Sequence, residues 1–452
     1  MTQPLPAPPS TYSAPAPLPA ARAPDARWDL LLVCVAVYLL TAVGRVHQLF
    51  PILAPFKLAF VAGLLSILIY LAAARGVRSF AGIWSPTTKY LLLLLLWITL
   101  SVPGALVQGE TFRMLTDNFI KTVVMYLVMV GAVRGPRDVE RLALVYFASA
   151  VVYAAVVLLR FDLGDSERLG RLYYYDANDF ATFLVSALPL GLYFLLGQRR
   201  PVRRVLGGAG LVILAMVFAR TGSRGGFLAL LGVGLFFLVG YSSLHVGWRV
   251  LGTVLLALVF SLSASDSYWK RMQTILHPKQ DYNYTQSVGR WQIWRRGIGY
   301  MLQRPFFGVG AANFSTAEGR ISPLARLQER GIGVQWAAAH NSFIQVGAEL
   351  GVPGLVFFLG MVITTFGALR TARRAESDPL SWGRPPPKLS APLTASFVGL
   401  VVGAFFLSLA YQAMLYTVPA FAVALRKVTP STARATPRPP GWRSRRVTRQ
   451  TT

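Results

Sequence analysis

About twelve apolar runs of bilayer-crossing length punctuate this 452-residue chain, near 28–44, 52–74, 90–107, 119–133, 142–159, 180–197, 205–219, 226–241, 249–264, 343–369, 391–409 and 411–425. A helix needs about 17–25 residues to cross a hydrocarbon core, so this pattern leaves little freedom of fold class. Only 14% of residues are charged, against about 25% in ordinary soluble domains. The mean hydropathy is +0.49. The expectation is an all-α, polytopic membrane protein of about 12 transmembrane helices, with one large, partly helical loop between the ninth and tenth.

Lysine and arginine set the orientation. Arg75, Arg78 and Lys89, then Arg134, Arg137 and Arg141, then Arg199, Arg200, Arg203 and Arg204, then Arg370, Arg373 and Arg374 fall in alternate connections. The positive-inside rule puts these connections, and both termini, in the cytoplasm. Five regions follow: a Pro/Ala-rich disordered N-terminus at 1–27, helices 1–9 at 28–264, an outer loop at 265–340, helices 10–12 at 341–425, and a basic disordered tail at 426–452. The tail accounts for part of the +27 net charge and suits a surface of anionic inner-membrane lipid. Nucleic acid is not needed to explain it. Cys34 is the only cysteine, so no intrachain disulfide and no Cys-based zinc site can form. The four histidines are widely spaced, and no metal is expected.

The outer loop is not a plain spacer. Between 265 and 338 ten Lys and Arg face four carboxylates, a net of +6. An outer basic surface suits an anionic substrate such as a pyrophosphate. Within it SVGRWQIWRRGIGYMLQRP places Trp291, Trp294, Ile298 and Met301 at helical spacing. This reads as an interfacial helix ended by Pro305, with Arg290 at its start and Arg295 and Arg296 on lipid headgroups. The FFGVGAANF stretch at 306–314 has half of a dinucleotide-binding glycine pattern but no preceding strand, so a tight surface turn is expected.

Three constellations bear on chemistry. In FARTGSRGG, Arg220, Ser223 and Arg224 lie between two apolar runs, with Gly225 and Gly226 opening the second. Glycines let a backbone approach a ligand, and Arg224 can fork two bonds to phosphate oxygens. A snorkelling arginine beside a tight turn fits the residues equally well. In AAAHNSFIQVGAELGVPGLV, His340 and Asn341 stand where an apolar run begins. A neutral imidazole there can take a proton from a hydroxyl; a satisfied interfacial histidine is the plainer alternative. Glu349 lies nine residues further on and should face protein or a wet cavity. Lys57 and Lys121 sit near the outer ends of their spans, where lysines commonly snorkel. In YYYDANDF, Asp176, Asn178 and Asp179 suit a helix cap, and with the tyrosines they also suit a sugar.

These motifs, in this order, resemble the O-antigen ligase and O-antigen polymerase superfamily of bacterial inner-membrane glycosyltransferases. The resemblance covers roughly 175–360; the earlier spans agree only in number and hydropathy. It implies a periplasmic loop folded over an outward-facing cavity. It also implies transfer of a glycan from undecaprenyl pyrophosphate to an acceptor hydroxyl, on a glycan or on lipid A-core. By the resemblance Arg224 and Arg290 contact the pyrophosphate and His340 is the base, with Arg220, Ser223, Asn341, Glu349, Lys57 and Lys121 as possible support. The pattern His340, Asn341, nine residues, Gly351 and Gly354 matches the ligase signature, but Leu355 and Val356 replace its usual Thr-Tyr. Ligase and polymerase therefore stay open. Such a reaction calls for no cofactor. The competing reading is a transporter or flippase of a lipid-linked glycan, which has the same topology but would spread ionisable residues through the depth of its spans.

Overall fold

A computed structural model describes residues 27–161, 169, 172, 175–197, 201–240, 246–277, 282–287, 289–331, 333, 336–377 and 388–429. The terminal segments expected to be disordered, Arg199, Arg200, Tyr173 and Tyr174 lie outside the described residues, apart from Arg27 and 426–429. In chain order the helices are α1 Leu30–Tyr38, α2 Leu58–Ala73, α3 Pro86–Ser101, α4 Gln108–Met114, α5 Ile120–Ala132, α6 Pro136–Arg160, α7 Ala177–Gly197, α8 Pro201–Thr221, α9 Arg224–Gly240 and α10 Val246–Ser263. Short helices follow: α11 Asp266–Gln273, α12 Tyr282–Thr285, α13 Arg290–Gln303, α14 Phe314–Arg320 and α15 Ala325–Glu329. The last three are α16 Ser342–Glu376, α17 Ser390–Ala404 and α18 Ala413–Lys427. Among the described residues the fold is all-helical, and seven helices are long and apolar enough to cross a membrane. Helices starting at Leu30, Arg224 and Ser390 are apolar but shorter.

An apolar helix of a membrane bundle faces either other helices or lipid, and the fold holds both kinds. The faint last run, 411–425, becomes α18, whose residues Met414–Leu425 are all buried. It packs against α5, α16 and α17. The second enclosed helix is α7, held between α8 and α17. Tyr146, Phe183 and Phe421 meet edge to face where α6, α7 and α18 come together. By contrast α2 presents Phe60, Leu64, Leu68 and Leu71 outward, as a lipid-facing helix does.

Polar groups gather at the two ends of α18, about 22 Å apart for fifteen residues. At the Lys427 end, Asp29 pairs with Arg78 and Arg134, and Asp138 with Arg134 and Arg141. These arginines belong to the clusters that the charge pattern assigns to one membrane face. Lys427 Nζ donates to the carbonyls of Val130, Gly131 and Val133 at 2.9, 2.9 and 3.0 Å. It thus satisfies the open C-terminus of α5. Lys427→Met should lower stability by about 1–3 kcal/mol, read as a fall in thermal midpoint in detergent; an unchanged midpoint would show that water replaces the ammonium without cost.

Candidate functional site

The other end of α18 is a sharp corner, residues 405–412, between α17 and α18. Backbone groups in such a corner need partners, and distant segments supply them. Ser408 Oγ accepts the N–H of His340 at 3.0 Å. Ser342 Oγ donates to the carbonyl of Leu407 at 2.7 Å and accepts from Leu409 N–H at 2.8 Å. Asn341, between them, caps α16: its Oδ1 accepts from Phe343 and Ile344 N–H at 2.9 and 3.0 Å. Asn341 is fully buried, and its Nδ2 has no hydrogen-bond partner among the described residues. His340 itself is half-buried, in the left-handed region at φ +46°.

Burial holds the His340 imidazole below its ordinary pKa of 6.5, the Arg290 guanidinium nearby pushes it further down, and Asp176 partly opposes both. The ring is therefore neutral at physiological pH and able to accept a proton. The same relation brings together Arg290 and His340, fifty residues apart in sequence. The cause is helix α13. It starts after the extended residue Gly289 with Arg290 in its first turn. One turn later Trp294 Nε1 donates to the Ala339 carbonyl at 3.0 Å. The Trp294 ring also rests on Phe405 and Phe406, with centroids 5.4 and 6.5 Å away. Residues four apart share a helix face, so anchoring Trp294 aims Arg290 the same way.

The Arg224 turn reaches the same corner. Gly222, at φ +58°, ends α8, and Ser223 Oγ caps α9 by accepting Gly226 N–H at 3.1 Å. A Cβ on Gly225 would stand 2.8 Å from Phe406 Cβ, and one on Gly226 would stand 2.7 Å from Ala181 Cβ. The glycines thus serve packing of backbone on the corner and on α7. Arg224 Nη1 donates to Thr274 Oγ1 at 2.7 Å. Arg220 is tied through its carbonyl, which accepts from Leu169 N–H at 3.0 Å.

Glu349 faces protein, as a carboxylate at that depth should. It is buried, and its carboxylate accepts from Phe314 N–H at 3.0 Å and from Tyr411 O–H at 2.7 Å. It ties the start of α14 to the corner. Two residues on, α16 is not continuous: Gly351 breaks it at φ +69°, where a side chain would meet the Pro305 carbonyl. The FFGVGAANF turn fills the break. Val309 and Gly310 N–H donate to the Ala348 and Glu349 carbonyls at 2.9 Å each, and Val352 N–H donates to Pro305 at 2.7 Å. Trp97 Nε1 bonds the carbonyls of Phe306 and Leu350. The glycine pattern is therefore a structural turn, as expected.

One expectation for α13 is corrected. Arg296 does not lie on headgroups. It pairs with the buried Glu318, which Tyr300 also donates to at 2.8 Å. The buried stripe is Ile293, Gly297 and Tyr300, and the helix packs on α16, while Trp291 and Ile298 stay 46% and 45% exposed.

Of the lysines, Lys57 is exposed at the left-handed start of α2, and the structure does not bring it to the corner. Lys121 lines a cavity of about 530 Å3 with Tyr38, Arg45, Phe60, Tyr175 and Gln412. Arg45 stands 4.9 Å over the Tyr175 ring. Asp176 caps α7 as expected, accepting from Asn178 and Asp179 N–H at 2.7 Å each. Sequence reasoning missed Arg45, Phe406 and Ser408. The only trace was a polar interruption, SLAYQ, between the last two apolar runs. Among the described residues no group of three or more His, Cys, Asp or Glu is arranged to hold a metal.

Residues 209–359 match the family model for O-antigen ligase. Over that stretch, a third of the chain, the match supports the resemblance to the O-antigen ligase/polymerase superfamily. It takes in the Arg224 turn, α13, His340 and the broken start of α16. No curated protein matches the chain. Within the matched stretch, Gly225→Leu should push Phe406 aside and lower stability by an overpacking cost of about 1–3 kcal/mol, read as a fall in thermal midpoint. An unchanged midpoint would show that the corner does not depend on this contact.

Proposed function

We propose that the protein is a glycosyltransferase of the bacterial inner membrane. On this reading the twelve helices cross the bilayer with both termini in the cytoplasm, and the 265–340 segment lies on the periplasmic face. The donor is a glycan on undecaprenyl pyrophosphate, and the acceptor is a hydroxyl of another glycan or of lipid A-core. The observation that carries the reading is geometric: the backbone of His340, the ring of Trp294 one turn after Arg290, and the Arg224 turn are all seated on the same corner.

The chemistry uses each group once. The acceptor oxygen attacks the anomeric carbon, and the bond from that carbon to the pyrophosphate oxygen breaks. The bonding electrons leave with the pyrophosphate, and Arg290 and Arg224 stabilise the charge that develops there. His340 takes the proton from the acceptor hydroxyl. No nucleotide sugar enters, because the lipid pyrophosphate is itself the activated group, and the two arginines take the place of a divalent cation. Asn341 positions His340 by fixing the start of α16.

His340→Ala and Arg290→Ala should each abolish release of undecaprenyl pyrophosphate in proteoliposomes supplied with purified lipid-linked glycan, while insertion and thermal midpoint stay near wild type. Full turnover by either variant would remove its assigned role.

The pH profile offers a separate check. A base must be unprotonated, so the rate rises with pH through the His340 pKa and then levels. Because burial and Arg290 hold that pKa below 6.5, the acid limb should lie below pH 6.5. Asp176→Asn removes the opposing charge and should move the limb lower still. An upward move would contradict the placement of Asp176 beside the ring.

A further inference from the structure

The charges of 282–331 are unbalanced. The segment has seven arginines and two glutamates. Glu318 is turned inward, 1% exposed, and neutralised by Arg296 and Tyr300. Arg295, Arg320, Arg326 and Arg330 are exposed, and among the described residues no hydrogen bond or ion pair occupies their guanidinium groups. Of these, Arg295 lines a cleft of about 590 Å3, together with Thr285, Ser287, Gln292, Arg296, Pro323 and Leu324. Tyr284 and Trp291, the neighbours of Thr285 and Gln292, stack with centroids 6.1 Å apart and are 43% and 46% exposed.

This lining is chemically specific. Hydroxyl, amide and guanidinium groups fit a polyhydroxy chain, and the exposed rings of Tyr284 and Trp291, next in sequence to lining residues, offer apolar faces to sugar rings. Arg295 adds a preference for carboxylate, which a guanidinium grips with two parallel bonds. Membrane headgroups are the competing partner for surface arginines. However, α14 and α15 are short and polar (FSTAEGR and ARLQE), with no apolar stripe to lay on a membrane. On α13 the cleft residues Gln292 and Arg295 lie roughly across the helix from Arg290 and Trp294, a distance of about 10–12 Å.

We propose that this cleft binds the glycan part of the substrate, and that the glycan is acidic, with carboxylates along its chain. This rests on the glycosyltransferase reading above. The donor pyrophosphate sits on one side of α13, and the sugar chain passes round the helix start into the cleft.

Binding can be measured without turnover. The full-length protein in zwitterionic nanodiscs is titrated with oligogalacturonate, and with the same oligosaccharide methyl-esterified to remove its charge. The acidic form should bind about tenfold tighter at low salt, and lose that advantage as salt rises. Arg295→Glu should weaken it about fivefold, and Arg295→Ala by less, with the thermal midpoint unchanged in both. Equal affinity for the two forms, or wild-type affinity in both variants, overturns the proposal. Loss of oligogalacturonate binding when the nanodiscs contain phosphatidylglycerol also overturns it, since the arginines then serve headgroups. His340→Ala should bind oligogalacturonate as wild type does. If that variant still transfers glycan, the chemical reading fails while the cleft stands; if wild type transfers glycan but shows no charge preference, only the cleft fails.

Discussion

The three hydrogen bonds between residues 340–342 and the corner at 407–409 are the constraint on which the rest of the site depends. Inside an apolar bundle an unpaired backbone group costs about as much as a lost hydrogen bond, so a corner there must be completed by whatever segment reaches it. Here Ser408 and Ser342 exchange bonds with backbone across two connections. His340 is thereby placed by the core of the bundle, not by the loop that precedes it. The Arg224 turn and Trp294 use the two phenylalanines of the same corner as their floor. Three sequence-remote motifs are thus measured from one rigid reference.

The break in α16 extends this logic to the outer segment. Gly351 frees backbone groups in the middle of an apolar helix, and the 305–310 turn takes them up. Glu349 adds a bond on each side, to Phe314 and to Tyr411. A buried carboxylate persists only where its lone pairs are matched. The loop and the corner are therefore coupled through one side chain. Any shift of α14 is felt at Tyr411, four residues from Leu407.

Much of this was legible beforehand because hydropathy and length are local properties. The apolar runs become helices near the expected places, and the expected helix at 290–303 and the turn at 306–314 form. The glycines at 225 and 226 mark a close approach, as small residues in an apolar run suggest. What sequence could not supply was the partner in each contact. Phe406 and Ser408 look like ordinary members of an apolar run, and only the fold makes them the floor of a site. Arg296 looks like a headgroup arginine until Glu318, twenty-two residues later, folds back on it. The last run, the faintest by hydropathy, turned out to be the most enclosed helix, because enclosure depends on neighbours.

The backbone at His340 carries a further implication. At φ +46° glycine sits without strain, whereas a branched or bulky L-residue is disfavoured by about 1 kcal/mol. The sturdiest version of this chain would therefore discard the imidazole. Laboratory selection for heat resistance alone should drift toward glycine at 340, and so, on the proposed reading, toward a hardier but inert protein.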